Sequence, residues 1–261
     1  NKIKSLNIFK SVKTELKDGS SPSTKIIDIR VEEKPTGEIS LGAGVGSDGG
    51  TIGFAVKENN FLGKGVKLST SLKLSADAVR GNFTVTNPNF NYTGRALSTN
   101  IESSKTDKLK DSGYETSKVG FSIGTAYEEY ENLYFSPQVS VSSEKINTGA
   151  TASESIKKQD GSFFETNFLY TLNYDLRDRT YKTTDGSRSI LTQRIPLASD
   201  DYAITNGFEF TKWHQFENKM ISDLGFYLRA INSLTDEDVK VSKRLNLPKR
   251  RMRGFETGKL G

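Results

Sequence analysis

The chain has 261 residues with 37 Lys and Arg against 32 Asp and Glu, a formal net charge of +5. Apolar residues make up only 34%, low for a large soluble core, yet 15 Phe and 10 Tyr exclude a disordered chain. The absence of cysteine rules out disulfides, thiolate zinc sites and a Cys nucleophile, and one His leaves a single imidazole base. No stretch approaches the ~20 apolar residues of a membrane helix, and no signal-peptide pattern occurs.

In chain order, Ile3, Leu6, Ile8 and Phe9 have helical spacing. Ser11–Asp18 reads as a strand closed by Gly19-Ser20-Ser21-Pro22, and Lys25–Glu32 as a second one. Pro35-Thr36-Gly37 then separates residues 1–35, the end of a small α+β module, from residues 36–261.

From residue 38 onward a period of two dominates. In Glu38-Ile39-Ser40-Leu41-Gly42-Ala43-Gly44-Val45 the odd positions are apolar and the even ones small or polar. Val66, Leu68, Leu72, Leu74 and Ala76 likewise oppose Lys67, Ser69, Ser71, Lys73 and Ser75. Similar alternation recurs around Phe83, Phe121, Val139, Phe168, Phe208 and Phe226, and more weakly at 51–58, 95–103 and 187–195, giving eleven strands within residues 38–231.

Several of these segments reach the ~9–11 residues of a tilted membrane strand, longer than the 5–6 common in soluble sheets. Their other faces carry Ser, Thr, Asn, Gly and Lys, which suits a water-filled lumen. The expected fold is therefore mainly β, an antiparallel transmembrane barrel whose apolar side chains point to lipid. Long connections at 104–113, 144–161 and 232–261 follow odd strands and short ones follow even strands, which puts the N-terminal module on the periplasmic side. An odd strand number, with the chain stopping in a loop, suggests that the final strands are missing.

Four motifs then resemble one family in order. Residues 31–63, with Val-Glu-Glu-Lys-Pro-Thr-Gly, Leu-Gly-Ala-Gly-Val-Gly and Glu58-Asn59-Asn60-Phe61-Leu62-Gly63, are similar to the POTRA–barrel junction of the BamA family of outer-membrane β-barrel assembly factors. Thr86-Asn87-Pro88-Asn89-Phe90 resembles that family's second periplasmic turn, and Arg177-Asp178-Arg179 through Thr184-Asp185-Gly186-Ser187-Arg188 the turn before its ninth strand. Met252-Arg253-Gly254-Phe255 resembles the Val-Arg-Gly-Phe/Tyr motif of the sixth extracellular loop, departing from it at Met252. A lone Arg-Gly-Phe carries little weight; four motifs in order carry much more.

The resemblance implies the first eleven of about sixteen strands, an even total as such barrels have, after the C-terminal remnant of the last POTRA domain. It implies folding and insertion of outer-membrane proteins in a Gram-negative outer membrane, with unfolded β-barrel clients, POTRA-bound periplasmic lipoproteins, membrane lipid and lipopolysaccharide as partners. The sixth loop would fold into the lumen, with Arg253 paired to acidic groups on later strands and Phe255 packed beside it. Residues Glu38 to Val45 would form a loosely zipped gate against the last strand. The same superfamily offers two-partner secretion and TamA-like transporters as alternatives, and a passive porin is a more distant one.

No catalytic, cofactor or metal residues are expected, and no nucleic-acid motif accompanies the basic run of Lys240, Lys243, Arg244, Lys249, Arg250, Arg251, Arg253 and Lys259. Most of those charges read as a solvated loop facing lipopolysaccharide. Asp200-Asp201 and Asp236-Glu237-Asp238 read as solvated loop charge, with divalent binding as the lesser reading. His214 falls at a periplasmic turn, with Trp213 as an interfacial anchor.

Overall fold

The computed structural model describes residues 8–21, 23–46 and 49–247. β1 (Phe9–Asp18) and β2 (Lys25–Glu33) form a two-stranded antiparallel sheet. Phe9 opens β1 opposite Glu33, so the helical spacing of Ile8 and Phe9 was misleading, and Ile3 and Leu6 lie outside the described residues.

The remaining strands form one eleven-stranded antiparallel meander in chain order. They are β3 (Gly37–Gly46), β4 (Gly49–Phe61), β5 (Val66–Ser75), β6 (Ala78–Asn87), β7 (Ala96–Lys108), β8 (Tyr114–Tyr130), β9 (Leu133–Thr148), β10 (Gly161–Asp175), β11 (Gly186–Ser199), β12 (Ala203–Gln215) and β13 (Ile221–Ser233). β3 and β13 are its two edges among the described residues.

Register keeps each face uniform. The row Ile101–Phe121–Val141 lies on one face, and the adjacent row Asn100–Ser122–Ser140–Asn167 on the other. In a soluble sandwich the first face would be covered by a second sheet. Here Ile39, Leu41, Phe121 and Leu228 remain exposed, and among the described residues only Tyr114, Ile146, Ala152 and Ala203 are buried apolar side chains. So extensive an apolar face, with every second residue on it, matches a wall bathed in hydrocarbon. No helix among the described residues is long and apolar enough to cross a membrane, which leaves crossing by strands open.

Two expected loops, 104–113 and 144–161, begin as strand. β7 runs to Lys108 and β9 to Thr148, leaving connections of 109–113 and 149–160, each with one helical turn. Connection lengths therefore do not separate the two ends of the sheet: 47–48, 76–77, 109–113, 149–160 and 200–202 lie at one, and 62–65, 88–95, 131–132, 176–185 and 216–220 at the other. The second end is the one from which β3 starts, and hence the end at which residues 9–33 join the sheet.

Candidate functional site

The most structured part of the polar face is on β9 and β10. Alternation puts Ser140, Ser142 and Glu144 of β9 in register with Asn167, Glu165 and Phe163 of β10. The β11–β12 turn is fixed to the start of β10: the Asp200 amide donates to the Phe164 carbonyl at 2.9 Å, and the Phe164 amide donates to Asp200 Oδ2 at 2.6 Å. That arrangement delivers Asp201 next to Glu165.

The chain leaving β13 folds onto this wall. The Leu234 amide donates to the Tyr202 carbonyl at 2.7 Å, and six and nine residues later two lysines arrive at the carboxylates. Lys243 Nζ lies 2.7 Å from Glu165 Oε1 and 2.8 Å from Asp201 Oδ2. Lys240 Nζ lies 3.2 Å from the same Glu165 oxygen and 3.7 Å from the centre of the Phe163 ring. The Val241 amide donates to Gln159 Oε1 at 2.7 Å, and Ser242 Oγ to Glu144 Oε2 at 2.9 Å.

Glu165 and Lys240 are 2% and 4% exposed, so this is a desolvated cluster. Two ammonium groups against two carboxylates neutralise it, and the cation–π contact offsets part of the lost hydration. Chemically it is a clamp. It holds residues 240–243 against a strand wall 75 or more positions earlier in the chain.

This corrects two expectations. Lys240 and Asp201 are buried partners and Lys243 a half-buried one, because the segment after β13 turns onto the sheet instead of rising into solvent. Asp236, Glu237, Asp238 and Arg244 are exposed, as solvated loop charges should be. Among the described residues no three His, Cys, Asp or Glu side chains are placed to hold a metal ion. One signal could have flagged the clamp: Glu165 is a carboxylate in the interior of a long strand, on a face that continues with Asn167, Leu169, Thr171 and Asn173. Met252, Arg253, Gly254 and Phe255 lie outside the described residues.

The candidate gate contrasts with this wall. Glu38–Val45 lies within β3, which pairs only with β4 among the described residues. On its polar face Gly42 opposes Gly53, so that position has no cross-strand side-chain contact, and a Cβ at Gly42 or Gly44 would meet nothing within 4 Å. On its apolar face Ile39, Leu41 and Val45 are 75%, 78% and 93% exposed. The second row of backbone N–H and C=O groups along β3 is a free sheet edge among the described residues.

The turn before β11 is a third built element. Arg177 donates Nε and Nη2 to the two Asp175 oxygens at 2.7 and 2.6 Å. Asp178 accepts from the Thr184 hydroxyl, the Thr184 and Asp185 amides and Arg179, which together hold its carboxyl well below the usual range. Gly186, at φ +106°, closes the turn, and a Cβ there would sit 2.2 Å from the Leu176 carbonyl oxygen. Trp213 is in register with Gly186 and Asp223 on the polar face, with the Arg177 guanidinium 5.8 Å from its ring, so parity turns it away from the apolar side expected of a lipid anchor. His214, also within β12, has Nδ1 3.4 Å from Asp185 Oδ2, and the turn itself is 216–220.

The fold is similar to that of known structures. BamA from Haemophilus ducreyi lacking POTRA domains 1–3 superposes with a TM-score of 0.78 at 20% identity, over 91% of this chain and 49% of that one. CdiB from Acinetobacter baumannii gives 0.55 at 9% identity, over 95% of this chain and 48% of that one. The chain thus spans about half the length of each. At these identities the likeness establishes the fold. The Omp85 superfamily domain model matches residues 60–261, and with that match over an eleven-stranded antiparallel sheet of this topology, the chain belongs to the Omp85 superfamily.

Proposed function

We propose that these residues form the first eleven strands of a BamA-type assembly barrel of about sixteen strands, preceded by the end of a POTRA domain in residues 1–35. Its place is the outer membrane of a Gram-negative bacterium, with the module of residues 9–33 in the periplasm. The observation that carries the reading is β3: a glycine-bearing first strand of the sheet whose polar side makes no cross-strand side-chain contact at Gly42.

In a closed barrel that edge meets the last strand. A seam zipped by backbone bonds alone opens more readily than one reinforced by side-chain pairs. Once open, it presents unpaired N–H and C=O groups to an unfolded client strand, which adds to the sheet by β-augmentation. Backbone pairing and transfer of the client's apolar face into lipid supply the driving force. No residue is assigned a catalytic role and no cofactor a step.

The Lys240–Lys243 clamp supports the same reading, since it holds residues 240–243, which precede Met252-Arg253-Gly254-Phe255 in the chain, on the polar face. Arg253 would act as a latch on the lumenal wall, and its guanidinium would need an acidic partner there. Periplasmic lipoproteins would engage POTRA domains. A two-partner secretion or TamA-like transporter would share much of this wall, but the TM-score of 0.78 to BamA against 0.55 to CdiB favours the assembly factor. A passive pore has no use for the docked segment.

The test is a disulfide engineered between β3 and the last strand in the intact protein. Locked protein should fail to assemble clients and recover on reduction; full activity when locked contradicts seam opening.

A further inference from the structure

The apolar face carries a feature that client templating does not use. Near the end of the sheet where residues 9–33 join, Tyr127, Phe135 and Tyr170 form an aromatic group, with ring centres 5.9 Å and 6.1 Å apart along it. Moving up β8 from Tyr127, the same face passes Ile123, Phe121 and Val119 and arrives at Ser117. The β8–β9 register is continuous over that stretch, with Tyr127 opposite Phe135 and Ser117 opposite Lys145. Ten residues at about 3.3 Å each, tilted by about 40°, rise about 25 Å, the height of the apolar band of an outer-membrane barrel. The row Lys105–Ser117–Lys145 therefore stands at the opposite membrane border, at headgroup depth.

A recess of about 430 Å³ opens at this level. It exists because small residues interrupt the wall: Gly81, Ser103 and Ser143 occupy the row where Phe83, Ile101 and Val141 stand one row below. A Cβ at Gly81 would meet only the Ser103 carbonyl oxygen, at 3.9 Å. Leu72, Val79 and Val119 supply its apolar sides. The two lysines differ in charge balance. Lys105 Nζ is 3.1 Å from Glu115 Oε2, a carboxylate also held by Asn147 Nδ2 at 2.8 Å. Lys145 has no ion pair within 4 Å among the described residues; its charge acts at longer range on Glu115 and Asp160, and Lys118 also borders the recess.

We infer that this recess holds the phosphorylated headgroup of a membrane glycolipid. Its phosphate sits between Lys145 and Lys105 with the Ser103, Ser117 and Ser143 hydroxyls as donors, and an acyl chain runs down past Val119 and Phe121. Charge complementarity favours this occupant: two ammonium groups at headgroup depth, one of them in no close ion pair, attract an anionic lipid, and an apolar floor below them retains the chain. The inference rests on the reading of the apolar face as membrane-facing. With residues 9–33 in the periplasm, the leaflet concerned is the outer one.

The experiment uses the intact protein purified with lipid A bearing both phosphates, or with the same lipid stripped of them, and counts retained lipid by native mass spectrometry. Wild type should retain the phosphorylated lipid preferentially. Lys145→Ala should lower that retention about fivefold, and Lys145→Glu should reduce it to the level of the stripped lipid. Lys110→Ala, on the helical turn beyond β7, should change nothing, and an unchanged protease digestion pattern checks folding of each variant. Equal retention of both lipids by wild type, or full retention by Lys145→Glu, overturns the site. Displacement of the lipid by millimolar inorganic phosphate also overturns it, since that marks a free-phosphate site. If wild type retains neither lipid, the membrane-facing reading fails instead.

Discussion

The middle of this sheet and its β3 edge are built from the same alternating pattern yet differ in what holds them. β8, β9 and β10 are 17, 16 and 15 residues long, carry buried Ser122, Ser142, Glu144, Glu165 and Asn167 on the polar face, and are clamped by a segment arriving from beyond β13. β3 is 10 residues long, has glycines where the wall has side chains, and is tied to the sheet along one edge among the described residues. Length and backbone pairing make a strand; side-chain contacts across the sheet make it rigid. On the proposed reading, a barrel that opens at one seam and keeps its shape elsewhere uses both kinds.

The largest effect should come from breaking the clamp. Glu165→Ala leaves Lys240 and Lys243 with Asp201 alone in a desolvated site and should cost about 3–5 kcal/mol. Trypsin cleavage after Lys240 or Lys243 should rise steeply while β3 is unaffected; unchanged cleavage would mean that the ion pairs do not hold the segment. Next is Ile146→Ala. This fully buried side chain on the β9 wall should be worth about 2–5 kcal/mol, read as a lower thermal midpoint.

Changes at the β3 edge should be smaller and opposite in sign. Gly42→Ala and Gly44→Ala enter open space and should each stabilise β3 by about 0.5–1 kcal/mol through lost unfolded-chain freedom. Client assembly should slow accordingly, since a stiffer β3 opens less often. Faster assembly would break the comparison.

The smallest effect is local and pH-dependent. The depressed carboxyl of Asp178 stabilises the 176–185 turn at any pH above its ordinary value of 3.8, and this is lost as pH falls below that towards the folded value. Amide exchange at Thr184 and Asp185 should be protected across neutral and mildly acidic pH and should rise only below about pH 4. Asp178→Asn should remove that dependence.

Much of this was legible in the chain. A wall facing lipid on one side demands a strict period of two, so all eleven strands stand out between residues 38 and 231. The pattern fades where strands leave the membrane: Ser104-Lys105-Thr106-Asp107-Lys108 is polar on both faces but still pairs with β8, and so read as a loop. Ile8 and Phe9 failed for a different reason, because four apolar residues in nine fit more than one period. The clamp was illegible because Lys240 and Glu165 are 75 residues apart, and only the path of the chain after Ser233 brings them together. Trp213 was misplaced because composition suggests an interfacial anchor, while register parity decides its face.

One measurement addresses the seam directly. A photo-crosslinking residue is placed singly at each position 38–45 of β3 and 138–145 of β9 in the intact protein, and a client stalled during assembly is captured. Templating at β3 predicts crosslinks along β3 with a two-residue period and none along β9. Equal yields on both strands, or none on β3, would contradict it.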